Sequence, residues 1–239
     1  MNTNSNGYTV IYATVMVIIV ALMLALVSSA LKDTQTANVE LDKKKQILAS
    51  LNIDLEGKDA AAIYDEYIVE EMVVNNEAEI LDTTKFCAFK IDFLKELAKS
   101  EAERKLPIYV AKVDGKTKYI MSMKGTGLWG PIWGYVALND DKNSIFGSYF
   151  SHASETPGLG AEIAYKPFQR TLIDKKILGA DLAFKSISVL KPDNKPNSEY
   201  EIDGISGGTI TSKAVEKMIF NCLGQYKAFY DIKVEGGAK

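Results

Sequence analysis

The sequence predicts an α+β fold: a single N-terminal transmembrane helix, then one globular domain of antiparallel hairpins closed by a C-terminal helix. Three observations carry this. The N-terminal region holds a long uncharged apolar run. The middle of the chain alternates apolar and polar residues between turn signals, the period of a strand. The end of the chain repeats apolar residues at the spacing of one helix face.

The apolar run comes first. No side chain from Tyr8 to Leu31 is charged, and Val, Ile, Leu and Met fill most of its interior. At about 1.5 Å per residue it can cross a hydrocarbon core of about 30 Å. A cleavable signal peptide would show a basic leading segment and a shorter apolar region. Residues 1–7 contain no Lys or Arg, so an uncleaved anchor is expected, although Ser28-Ser29-Ala30 resembles a processing site. Charge says little about orientation. Lys32 is followed by Asp33 and Glu40, and Lys43-Lys44-Lys45 leans weakly towards a cytoplasmic body. No acid lies in the span, so this helix is not expected to carry ions itself.

Beyond the anchor the elements follow in order. A short helix is expected over 39–51, a second over 60–67, a strand over 72–74 and a helix over 92–98. Phe86-Cys87-Ala88-Phe89 is strand-like. Strands over 108–113 and 118–123 flank Asp114-Gly115, a strong hairpin signal. A second hairpin joins 132–138 to 145–150. Residues 167–178 read as a helix, 182–190 as a strand and 191–198 as a polar loop. The last helix is expected over 212–229, where Ala214, Val215, Met218, Ile219, Cys222 and Leu223 share one face. Thr211 or Ser212 is its natural N-cap. Strand pairs with interspersed helices indicate α+β rather than a doubly wound sheet. The division expected is 1–34 as membrane anchor, 35–105 as a mostly helical lead-in, and 106–239 as the main domain.

Composition narrows the function. The chain has 239 residues and a formal charge of −3, so no basic balance points to nucleic acid. It has one histidine and two cysteines, Cys87 and Cys222, with no Cys-x-x-Cys. A metal site built by the protein is therefore not expected. Both thiols read as buried apolar groups.

Three segments carry chemistry. Asp203-Gly204-Ile205-Ser206-Gly207-Gly208-Thr209-Ile210-Thr211-Ser212 precedes the last helix. Its glycines allow close backbone approach, and the helix start brings free N–H groups and a positive dipole end. That makes a seat for a phosphate, and the hydroxyls could esterify one. The plainer alternative is a turn leading into a capped helix. Gly125-Thr126-Gly127-Leu128-Trp129-Gly130-Pro131-Ile132-Trp133-Gly134-Tyr135 interleaves glycines with large aromatics. It is either a face for a flat ligand, with Trp129 stacking, or a bulged strand with core aromatics. His152-Ala153-Ser154-Glu155-Thr156-Pro157-Gly158-Leu159-Gly160 holds the lone histidine, which reads as a structural hydrogen bonder. Glu155 and Thr156 could present polar groups to a ligand edge, or the segment is an ordinary polar turn.

The first segment resembles the flavinylation motif of the covalent FMN-binding domain, Asp-Gly-x-Ser/Thr-Gly-Ala-Thr. In that family a flavin transferase joins the FMN phosphate to the last threonine, which is Thr209 here. The chain departs once, with Gly208 where alanine is usual, and Thr211 is the fallback acceptor. Glu155-Thr156-Pro157-Gly158-Leu159-Gly160 resembles the loop that lines the flavin ring in the same family. The Gly-Leu-Trp-Gly-Pro-Ile-Trp-Gly-Tyr stretch is similar to a segment of the C subunits of sodium-translocating NADH:quinone oxidoreductases. The order of anchor, body, three motifs and last helix also matches, so the resemblance covers essentially the whole chain.

The resemblance implies a one-electron-transfer subunit with FMN held by phosphoester to Thr209. Ser206, Gly207, Gly208 and Thr211 would contact the phosphate. Leu128, Trp129, Glu155, Thr156, Leu159 and Gly160 would line the ring. It implies the bacterial inner membrane, a single pass, a periplasmic body, and the other subunits of a sodium-translocating complex as partners. The chain itself shows no dinucleotide fingerprint or iron–sulfur pattern, so NADH and quinone would react elsewhere. Two alternatives stand beside this: the G subunit of an Rnf-type ferredoxin:NAD oxidoreductase, and a membrane-anchored scaffold that has kept the fold without the flavin.

Overall fold

The computed structural model describes residues 5–192 and 194–231. By its contacts the chain divides into two units, one ending at Lys43 and one running from Lys44 onward. The first helix, α1 (Asn6–Ser50), contributes to both. Its large apolar side chains from Val10 to Leu31 are exposed. By length and composition it is the one helix among the described residues able to cross a membrane. The separate helix expected over 39–51 is the end of α1, because no Gly or Pro lies between Tyr8 and Gly57 to interrupt the pattern.

The second unit is built on an antiparallel sheet. Helix α2 (Ala60–Tyr67) starts at Asp59, whose carboxylate accepts the Ala61 N–H. It runs into β1 (Ile68–Val74), followed by the edge strand β2 (Ile80–Asp82) and the short helix α3 (Phe93–Leu97). Then come β3 (Leu106–Val113), β4 (Lys116–Thr126), β5 (Pro131–Leu138) and β6 (Ile145–His152). The sheet order is β2-β1-β3-β4-β5-β6, with every neighbour antiparallel. Because β1 pairs with β3, the sheet draws on residues both before and after 106. Asp114 and Gly115 turn β3 into β4 with φ of 51° and 75°, the two positive values that this tight hairpin requires.

Both faces of the sheet are covered, and the strand alternation sorts apolar residues between them rather than apolar from polar. Ile108, Val110, Met121, Met123, Ile132 and Val136 point to one core. Tyr109, Ala111, Ile120, Tyr135 and Ala137 point to the other, which Ile47, Leu48, Leu51 and Tyr64 close. The first core is closed by helix α4 (Lys166–Arg170), by the parallel pair β7 (Ser188–Leu190) and β8 (Glu201–Asp203), and by helices α5 (Thr209–Leu223) and α6 (Lys227–Asp231).

Several local expectations need correction. Residues 86–89 form turns, not a strand: Phe86 has φ +65°, and the Phe89 N–H donates to buried Glu71. Of the helix expected over 167–178 only α4 forms. Past it, the Asp174 N–H donates to Ile145 O and Lys175 O accepts from Ile145 N, so this backbone is committed to the start of β6. Of the strand expected over 182–190 only β7 forms, because Leu182 takes positive φ in a turn closed on Gly179 and Ser186 takes positive φ in one that folds back on Ile177. The last helix begins at Thr209, not 212, with Gly208 as N-cap. It breaks at Gly224 into a 3₁₀ turn before α6.

Candidate functional site

The three motifs meet at the N-terminal end of α5. Strand β8 ends at Asp203, and Gly204 passes so close to Leu190 that an added Cβ would collide with its carbonyl oxygen. Gly207 turns the chain with φ +72°, and the Gly208 N–H closes the turn on Ile205 O at 3.0 Å. Thr209 is then the first residue of α5 and is half-buried, with Ser206 and Gly207 exposed beside it.

The hydroxyls expected to cap α5 are otherwise engaged. Ser212 Oγ accepts the Ile205 N–H at 2.9 Å, reaching back across the turn. Thr211 is buried and donates to Glu155 Oε2 at 2.5 Å. Gly208 supplies no side chain to the helix start, so the first N–H groups of α5 have no side-chain cap from that position.

Glu155 joins the motifs. It is 4% exposed. Its Oε1 accepts the Trp129 N–H at 2.8 Å while Oε2 accepts from Thr211. One carboxyl group therefore ties the β4–β5 loop to the first turn of α5. Two glycines make room for it: a Cβ at Gly127 would sit 2.5 Å from Oε1, and one at Gly160 would sit 2.5 Å from Oε2. His152 is the hydrogen bonder expected, its Nδ1 accepting the Glu155 N–H at 3.2 Å. Ser154 donates to Trp129 O at 2.8 Å, a contact that no sequence pattern announces.

The result is an open shelf. Trp129 is 65% exposed, Leu128 47% and Leu159 41%. Leu159 lies against Gly207, where a Cβ would meet its Cδ2 at 2.6 Å. Thr156 is exposed, and its carbonyl accepts the Leu159 and Ala161 N–H groups, shaping the turn around Gly158 at φ +74°. Ile210, not singled out in the sequence, adds a further exposed apolar side chain at the helix start. The aromatic-rich segment divides. Trp129 is the exposed face, while Tyr135 is buried on the opposite side of the sheet and Trp133 Nε1 donates to Gln46 there. An exposed apolar surface beside a half-buried threonine at a helix start fits a flat ring with a phosphate tail.

The cysteines lie away from this shelf. Cys222 Sγ donates to Lys124 O on β4, and burial pushes its pKa up to about 11. Burial also raises the Cys87 thiol. Among the described residues no group of three or more His, Cys, Asp or Glu side chains is arranged to hold a metal ion.

The family model for the FMN-binding domain matches residues 127–224, a span that includes all three motifs. Residues 127–224 thus match an FMN-binding domain, set here within an α+β fold. The chain is similar to the C subunit of the Na(+)-translocating NADH-quinone reductase of Pseudomonas aeruginosa, 29% identical over 94% of each chain. It is 43% identical to the crystal structure of the same subunit from Parabacteroides distasonis, with a TM-score of 0.78 over 85% of this chain and 98% of that one. Shewanella oneidensis NqrC shares the fold at 20% identity, with a TM-score of 0.68 over 82% of this chain and 97% of that one. The chain belongs to the family formed by the C subunits of Na(+)-translocating NADH-quinone reductases.

Proposed function

We propose that this chain is the FMN-carrying electron-transfer subunit of a sodium-translocating NADH:quinone reductase, and that a flavin transferase esterifies the FMN phosphate to Thr209. The observation that carries this is Glu155, which gathers the Trp129 loop and the start of α5 around one threonine. Thr209 is favoured over Thr211 because the Thr211 hydroxyl is buried and already donates to Glu155.

FMN, when bound, supplies the redox chemistry by taking up and releasing single electrons. The chain's own residues hold it. Thr209 Oγ anchors the phosphate, with Ser206, Gly207 and Gly208 giving close backbone approach under the dipole of α5. Leu128, Trp129 and Leu159 offer the ring an apolar face. Glu155, Thr156 and Gly160 set the loops that carry that face. A tethered cofactor stays within electron-transfer reach of its neighbours in the complex. The remaining parts are residues 1–34 as a single-pass anchor in a bacterial inner membrane, 35–105 as lead-in, and 106–239 as a flavin domain on the periplasmic side.

Intact mass and peptide mapping of the chain co-expressed with a flavin transferase test this. We expect a gain of one FMN less one water on the 206–213 peptide, and its loss in Thr209→Ala with the fold retained. An unmodified, folded chain would overturn covalent attachment. Flavin retained in Thr209→Ala would move it to Thr211.

A further inference from the structure

A second cleft lies along the later half of α5. It has a volume of about 460 Å³, within the range of small-molecule sites, and is bordered by β7, β8 and the loops before them. Ser186 is on its wall. This serine is 3% exposed, and its hydroxyl makes no hydrogen bond. It also sits at φ +66°, a conformation unfavourable for a residue with a side chain. The turn lets the Lys185 and Ser186 N–H groups donate to Ile177 O, so the unpaired buried hydroxyl is the cost without a visible structural return.

The charges around it are uneven. Glu216 also lines the cleft, but its Oε2 accepts from the Val189 N–H, from Lys213 Nζ at 2.8 Å and from Ser188 Oγ at 3.4 Å. Glu201 accepts the Asn197 N–H at 3.1 Å. Both acids are thus occupied within the fold. The two lysines are not: among the described residues neither Lys185 nor Lys217 belongs to an ion pair. Lys185 Nζ instead lies 3.9 Å from the centre of the Tyr200 ring. Phe220, 54% exposed, gives the cleft a second aromatic wall.

We propose that this cleft binds a small organic carboxylate, its oxygens taking the Ser186 hydroxyl and the Lys185 and Lys217 ammonium groups, and its apolar body resting on Tyr200 and Phe220. A carboxylate supplies the acceptor that Ser186 lacks and a direct ion-pair partner for both lysines. The site shares α5 with the flavin shelf but none of its residues, and it does not rest on covalent flavin.

Benzoate titrated into the full-length, ¹⁵N-labelled chain in detergent tests it by NMR. We expect saturable shifts confined to amides in 185–189, 198–201 and 216–220. Affinity should fall at least about tenfold in the double variant Lys185→Gln, Lys217→Gln, whose exposed side chains leave the fold alone. Ser186→Ala should weaken binding with an unchanged or raised unfolding temperature, since it removes an unpaired hydroxyl. The proposal is overturned if benzoate gives no saturable shifts there, or if the double variant binds it equally well. It is also overturned if benzylamine binds as tightly as benzoate, or if inorganic phosphate alone saturates the same amides.

Discussion

Glu155 concentrates the site in one side chain. Its two oxygens accept from the Trp129 N–H and the Thr211 hydroxyl, and both donors lose their partner if it is removed. Glu155→Ala should therefore lower stability by about 2–4 kcal/mol, from two groups left unpaired. It should also free the Trp129 loop, read as a change in tryptophan fluorescence anisotropy. Glu155→Gln keeps one acceptor and should cost less than half as much. Cys222 supports a pH prediction. Its folded pKa of about 11 lies above the ordinary value of 9.0, so the folded state favours the neutral thiol. That contribution is complete below pH 9 and is lost as pH rises from 9 towards 11. Cys222→Ala should flatten this part of a plot of unfolding midpoint against pH. Buried Tyr226 and Tyr230, also raised by desolvation, carry the decline further into alkali.

Among elements, glycines divide into two kinds that sequence cannot separate. Gly115 turns a hairpin at φ +75° with open space around it. Gly115→Ala should cost about 1–2 kcal/mol, the ordinary penalty for a side chain in the left-handed region. Gly134 lies within β5, and a Cβ there would collide with the Tyr149 carbonyl oxygen of β6. Gly134→Ala should cost about 3 kcal/mol or more and loosen the β5–β6 pairing, measurable by amide exchange. In the sequence Gly134 belongs to a run open to two readings, a ligand face or a bulged strand, and its role is packing between strands. Elements decided by local signals are legible: α2 behind its Asp59 cap, the Asp114-Gly115 hairpin, and the apolar face of α5. Those decided by distant backbone partners are not. The stretch after α4 is apolar enough for a helix, but Ile145 holds its backbone. The site is legible as three motifs, and the Glu155 bridge between them is not, because the two residues it accepts from lie 26 and 56 positions away.

At the scale of the whole chain, the apolar run and the hairpin-rich body are separable by eye, since charge is absent from one and spread through the other. Orientation is different: the lysines at 43–45 lean one way and the proposed export leans the other. A C-terminal alkaline phosphatase fusion should be active in cells and a C-terminal green fluorescent protein fusion dark. The reverse pattern would place the body in the cytoplasm. The strand order also fixes a sequence of events during synthesis. In the sheet each strand from β4 to β6 pairs with the one made just before it, so this part can assemble as it leaves the ribosome. The helix that closes one face, α5, is made after all six strands and begins with Thr209. That apolar face is therefore not fully covered until α5 is made, and Thr209, the proposed attachment residue, arrives together with that helix.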